Sequence, residues 1–175
     1  DFNSQQISFY RYMNGFVKGA GYPDSTFAGA PHNTFSWATD LGSGVMNAYS
    51  FYLYGSPFFW LSVLLPQSWL PYMMVPLLVL KFGVAGGGAF LYLRRYVKNE
   101  NYAVLGACLY ALSGFAVYNV FFNHFVDVVA LFPYLLWSLD EALYNDRRSW
   151  FAFWVAVNLL NNYFFFAGQA VFLII

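Results

Sequence analysis

Two short basic clusters set the organisation of this chain. "LRRYVK" carries Arg94, Arg95 and Lys98, and "DRRS" carries Arg147 and Arg148. Between them lie two apolar runs, about 102–121 and 126–143, joined by "FNHFVD". Each run is close to the ~20 residues a helix needs to cross ~30 Å of hydrocarbon. Basic residues beside a span mark its cytoplasmic end. Two spans between two such clusters form an out-and-back hairpin, which puts Asn123, His124 and Asp127 at its outer tip.

Composition supports a lipid environment. Charged residues make up 9% of the chain and hydrophobic ones 60%, whereas a soluble domain carries about 25% charged residues. At 175 residues the chain is long enough for a proper core, so smallness does not explain the imbalance. The formal net charge is zero, which gives no footing for nucleic acid. The single cysteine, Cys108, sits in an apolar run, has no intrachain partner for a disulfide, and reads as packing. The chain opens on Asp1 and ends within "AVFLII", and reads as a piece of something longer.

The remaining spans obey the same rule. "PLLVLKFGVAGGGAFLYLRR", about 76–95, runs inward to Arg94 and Arg95, with Pro76 suited to a first helical position. After Arg148 a fourth span, about 149–175, heads outward. Residues 1–68 are expected outside. Ile7, Tyr10 and Met13 form an apolar stripe at helical spacing with Arg11 and Lys18 off it, as in a helix lying on a membrane surface. Residues 51–66 have a short apolar core between Pro57 and Pro66, which suits a re-entrant or interfacial segment. The expected fold is all-α: a polytopic transmembrane helical bundle with an extracytoplasmic first loop. "GVAGGGAF" reads as small residues for close helix contact rather than a phosphate loop.

Three polar features stand out. Asp127, with Asn123 and His124, is either a carboxylate in the headgroup zone or part of a site. Lys81 lies inside a span, where a lysine at the membrane centre costs roughly 2.5–3.5 kcal/mol; it either snorkels outward or offers a cation to an anionic phosphate. Asn158, Asn161, Asn162 and Gln169 place amides on one side of the last span, for interhelical hydrogen bonds or a polar cavity lining. Asp1 and Asp40 join Asp127 on the outer side as carboxylates suited to general-base or metal-ligand work. Whether a metal binds is open: there is no HExxH motif, no paired CxxC, and two histidines are too few for a His-rich site. Asp140, Glu141 and Asp146 read as a solvated charged face beside Arg147 and Arg148.

The ordered set "WATDLGSG", "YGSPFFWLSVLLP", "LKFGVAGGGAFLYLRR", "LYALSGF" and "NHFVDVVALFPYLLW" resembles the bacterial YfhO membrane-protein family over essentially the whole chain. That family looks like the GT-C group of membrane glycosyltransferases. The resemblance implies a GT-C-like bundle in the bacterial cell membrane, multi-pass, with its active face extracytoplasmic. It implies transfer of a sugar from a polyprenyl-phosphate carrier to a cell-envelope polymer of teichoic-acid type. The implied partners are the lipid bilayer, the polyprenyl-phosphate-sugar donor and the polymer acceptor, with no nucleic acid. No cofactor is certain, and a divalent metal stays open.

By that resemblance Asp1 matches the acidic residue opening the first outer loop, a catalytic base or acceptor anchor. Asp127 matches the acidic residue of the second outer loop. Lys81 matches the lysine of the "LK-x-G" stretch and would face the carrier phosphate, while Asn162 and Tyr163 match an "N-x-Y-F" region. With the donor already carrying a phosphate leaving group, a cation or metal on that phosphate and a base on the acceptor hydroxyl are the chemistry required. Trp37, Tyr49 and Tyr52 are candidates to pack on sugar faces. The alternative from another class is a transporter or flippase, for which polar residues within spans serve as a path. A scaffold that recruits other envelope enzymes is a third reading.

Overall fold

The computed structural model describes residues 5–18, 35–36 and 42–174. The chain divides into two compact units, residues 1–76 and 77–175. Asp1, expected as a catalytic residue, lies outside the described residues, as do Asp40 and the sugar-packing candidate Trp37.

In the first unit, α1 (Ile7–Val17) is amphipathic as expected, and its stripe is satisfied by protein. Tyr10 and Met13 are buried. A two-residue antiparallel pairing, β1 (Phe35–Ser36) with β2 (Ser43–Gly44), adds a small departure from an all-α chain; Gly42, at φ 105°, supplies the left-handed backbone that leads into β2. α2 (Val45–Tyr49) runs on into a π-helical turn, Ser50–Tyr54. α3 (Pro57–Val63) starts with Ser56 accepting the Phe59 N–H at 3.3 Å and proline in the first turn. The Tyr10 ring meets Phe59 edge-on at 5.7 Å, and Asn14 donates to the Ser62 carbonyl at 3.0 Å. Lys18 donates to the Leu65 carbonyl, so α1 is pinned along α3 and just past its end. Seven residues of α3 reach about 10 Å, a third of a bilayer core.

α4 (Leu70–Leu93) begins six residues before the expected start, after a 3-10 turn at Gln67–Trp69. Pro71 takes the first-turn position expected of Pro76, and Pro76 sits inside the helix. The run expected at 102–121 is broken: α5 (Glu100–Ala111) ends before Ser113, whose hydroxyl accepts the Ala116 N–H at 3.3 Å and starts α6 (Gly114–Tyr118). A serine followed by glycine offers a cap where an apolar residue would have continued the helix. α7 (Asn123–Tyr144) takes in Asn123, His124 and Asp127, which were expected at a tip. The stretch expected as one span, 149–175, is α8 (Arg148–Asn161) and α9 (Tyr163–Ile174). Asn162 is extended between them, and its side-chain oxygen accepts the Phe165 N–H at 3.1 Å.

Side-chain contacts fix the directions of the helices in the second unit. Lys81 meets Asp127 and Arg95 meets Glu141. Both partners advance fourteen residues together, so α4 and α7 run parallel, with their two ionic contacts about 21 Å apart. Between these contacts the Tyr134 hydroxyl donates to the Val84 carbonyl at 3.1 Å. The Tyr134 ring also occupies the space over Gly88, where an added Cβ would lie 2.6 Å from a ring carbon. α5 runs antiparallel to α4: a Cβ on Gly106 would meet Leu93, and one on Gly86 would meet Ala111. The glycines therefore serve close side-chain contact between helices. α8 doubles back on α7 through Asp146 at φ 53°, stacking Trp154 on Tyr134 at 4.8 Å. α9 then reverses again, since Phe165 meets Phe125 and Phe172 meets Phe132, both pairs advancing by seven. α7 is the centre of this unit, in contact with α4, α8 and α9.

Among the described residues, two helical stretches are long and apolar enough to cross a membrane, Gln67–Leu93 and Glu100–Phe121. Only 33% and 22% of an apolar 18-residue segment within each is buried inside the protein. Tyr72, Val79, Leu105 and Leu109 face outward. An apolar helix with so little protein around it needs lipid as its solvent.

Candidate functional site

Lys81 and Asp127 form an ion pair at 2.5 Å, with side-chain exposures of 0% and 2%. The Lys81 ammonium also donates to the Asn123 side-chain oxygen at 2.8 Å and to the Asn123 carbonyl at 3.1 Å. An ammonium has three donors, and these three acceptors match them. α4 brings the lysine, and the first two turns of α7 bring its acceptors. Asn123 and Asp127 stand four residues apart and so share one helix face. His124 is buried beside them, its ring edge-on to Phe125 at 4.5 Å.

This geometry corrects two expectations. Lys81 does not snorkel: its side chain is fully buried and its ammonium is held by Asp127 and Asn123 of α7. Asp127 is not a solvated headgroup-zone carboxylate, because helix α7 starts early enough to bury it. Charge neutralisation is the physical reason: a lysine and an aspartate placed separately in hydrocarbon are each costly, and together they have no net charge.

The other candidates are arranged differently. Asn162 caps α9, and Tyr163 next to it is 61% exposed. Asn158, Asn161, Asn162 and Gln169 are all buried. Asn158 donates to the Trp154 carbonyl of its own helix at 2.9 Å, rather than across helices. The side-chain oxygens of Asn158, Asn161 and Gln169 have no hydrogen-bond partner among the described residues. Tyr49 and Tyr52 pack edge-on against Phe9 at 5.2 and 5.4 Å in the first unit. No cluster of three or more His, Cys, Asp or Glu side chains suited to a metal occurs among the described residues.

A second charged network closes the opposite end of the α4–α7 pair. Arg95 pairs with Glu141 and lies 3.9 Å from Asp140, while Arg147 reaches Glu141 at 3.4 Å. The Arg95 guanidinium stands over the Trp137 ring at 5.4 Å, and the Tyr96 hydroxyl donates to Asp140 at 2.7 Å. That hydrogen bond, with smaller help from desolvation, holds the Tyr96 hydroxyl well above the usual phenol range. Asp140 and Glu141, expected on a solvated face, are buried. The Asp146–Arg148 pair, by contrast, is open to solvent. The equal spacing of Lys81 to Arg95 and of Asp127 to Glu141 is the trace that the two contacts leave in the sequence.

No curated protein and no solved structure matches the chain. The family model described as bacterial membrane protein YfhO matches residues 20–175, taking in the whole second unit and its Lys81–Asp127 pair. The chain belongs to the YfhO family of bacterial membrane proteins.

Proposed function

We propose that this chain is part of a GT-C-type membrane glycosyltransferase that moves a sugar from a polyprenyl-phosphate carrier to an extracytoplasmic cell-envelope polymer of teichoic-acid type. Family membership supports the membrane setting. The observation that carries the reading is the buried Lys81–Asp127 pair with Asn123 at its side.

A carrier phosphate is an anion that competes with Asp127 for Lys81. When it takes the ammonium, the lysine offsets charge developing on the leaving phosphate. The carboxylate given up by Lys81 becomes available to accept a proton from the acceptor hydroxyl. Attack by that hydroxyl on the anomeric carbon, opposite the departing phosphate, forms the new glycosidic bond, breaks the bond to phosphate and inverts the anomeric centre. Asn123, bonded to Lys81 through both its oxygens, keeps the ammonium aimed while its ionic partner changes. Asp1 is the second carboxylate in this proposal, an alternative base or acceptor anchor, to be tested by its own variant.

A transporter or flippase is the second reading. The pair itself favours it, because an ion pair shut inside a helix bundle also suits a substrate or proton path, as does the broken α8–α9 hairpin. Full-length protein in vesicles, supplied with labelled polyprenyl-phosphate sugar and envelope polymer, separates the two. The transferase reading expects label in the polymer. Movement of intact carrier across the bilayer with no labelled polymer would reject it.

A further inference from the structure

A cavity of about 240 Å³ lies in the second unit, lined by Tyr110, Ser113, Phe115, Val128, Val129, Phe132 and Gln169. At about 100° per residue, Val128, Val129 and Phe132 sit on the side of α7 away from Asp127. The cavity is therefore separate from the Lys81–Asp127 pair, and a ligand bound in it is independent of the proposed transfer reaction.

The lining specifies its ligand. No lysine or arginine contributes, so an anion finds no counter-charge. Phe and Val form most of the wall. The Tyr110 hydroxyl donates to the Val129 carbonyl at 2.9 Å, and the Ser113 oxygen accepts the Ala116 N–H. Gln169 is 8% exposed, and its side-chain oxygen has no hydrogen-bond partner among the described residues. An unpaired buried acceptor is costly, and one donor in an otherwise apolar ligand removes the cost. The volume exceeds the roughly 150 Å³ of a cavity that takes up benzene. Phe115 on the wall is half-exposed, and Leu112 and Val117 beside it face outward within a stretch apolar enough for lipid, so entry is from the lipid phase.

We propose that this cavity binds an uncharged lipid bearing a single hydroxyl group, whose O–H donates to the Gln169 side-chain oxygen while its apolar part packs among Val128, Val129 and Phe132.

The test is photolabelling of the full-length protein in bilayer discs with a diazirine-bearing fatty alcohol, and separately with its methyl ether. The alcohol should label peptides of α5, α7 or α9 about three- to tenfold more than the ether, the range expected of one added hydrogen bond. Gln169→Leu should bring alcohol labelling down to the ether level and leave ether labelling unchanged. Val128→Phe, which fills the cavity, should reduce both. Competition by a free fatty alcohol but not by a diacylglycerol identifies a single-chain ligand, and the reverse identifies a two-chain one; both uphold the site. Equal labelling by alcohol and ether in the wild type, reflecting ordinary lipid contact only, would overturn the proposal. So would an alcohol preference that persists in Gln169→Leu.

Discussion

Lys81 of α4 reaches Asp127 of α7 at 2.5 Å in surroundings closed to solvent, and Asn123 holds the same ammonium through two oxygens. The consequence is energetic as well as chemical. Removing one member of a buried ion pair leaves the other uncompensated, at about 3–5 kcal/mol. Removing both and filling the space with apolar atoms is often close to neutral. Lys81→Met should therefore destabilise the protein strongly in a mixed-micelle unfolding titration, and Lys81→Met with Asp127→Leu should recover most of the loss. Wild-type stability in Lys81→Met would mean that the pair contributes nothing to folding.

Gly88 and Tyr134 make a steric prediction. An alanine Cβ at Gly88 lies 2.6 Å from the Tyr134 ring, while at Gly83 it meets nothing within 4 Å. Gly88→Ala should cost about 1–3 kcal/mol, as overpacked sites do. Gly83→Ala should be neutral or slightly stabilising. Adding Tyr134→Ala should remove the penalty of Gly88→Ala, measured as non-additivity in a double-mutant cycle. Additive effects would place the cost elsewhere.

The Tyr96 hydroxyl predicts a pH dependence. Its folded pKa is raised, chiefly by donation to Asp140. The stabilisation is then complete below the unfolded tyrosine value of about pH 10 and fades as pH rises through the higher folded value. The ultraviolet difference spectrum of wild type against Tyr96→Phe should show no tyrosinate from Tyr96 at about pH 10. A half-titrated signal there would contradict the hydrogen bond.

Asn162 is predicted to act through its cap. Replacing it by alanine removes the acceptor of the Phe165 N–H and should cost about 0.5–2 kcal/mol. Asn162→Asp or Asn162→Ser should recover part of this. Loss of transfer in Asn162→Ala with stability and transfer recovering together in Asn162→Ser would mark a positioning role; loss of transfer with unchanged stability would contradict it.

Much of the membrane character was legible from runs of apolar residues cut by arginine clusters, because hydrocarbon thickness and positive charge are one-dimensional signals. The amphipathic stripe of α1 was legible from its period, though not that Tyr10 and Asn14 would spend it on α3. Helix breaks at Ser113 and Asn162 were hidden, since one polar residue in an apolar run reads equally as a cap or as a helix interior. Lys81, Asn123 and Asp127 were each singled out, but their meeting depends on α4 and α7 being parallel neighbours. That is a property of packing, and its trace in the sequence was the repeated fourteen-residue interval. The unpaired Gln169 oxygen was foreseeable only as an amide in a span; its cavity needs several helices to exist.

The charge-reversed pair Lys81→Asp with Asp127→Lys tests the central claim most directly. It keeps an ion pair between α4 and α7 while exchanging which helix carries the cation. Sugar transfer from labelled polyprenyl phosphate should fall at least about a hundredfold, the size of a lost general base, in protein that its unfolding titration shows to be folded, though less stable than wild type because a carboxylate then faces both Asn123 oxygens. Transfer at the wild-type rate by this reversed and fully folded protein would contradict the account, leaving Lys81 and Asp127 as a structural pin alone.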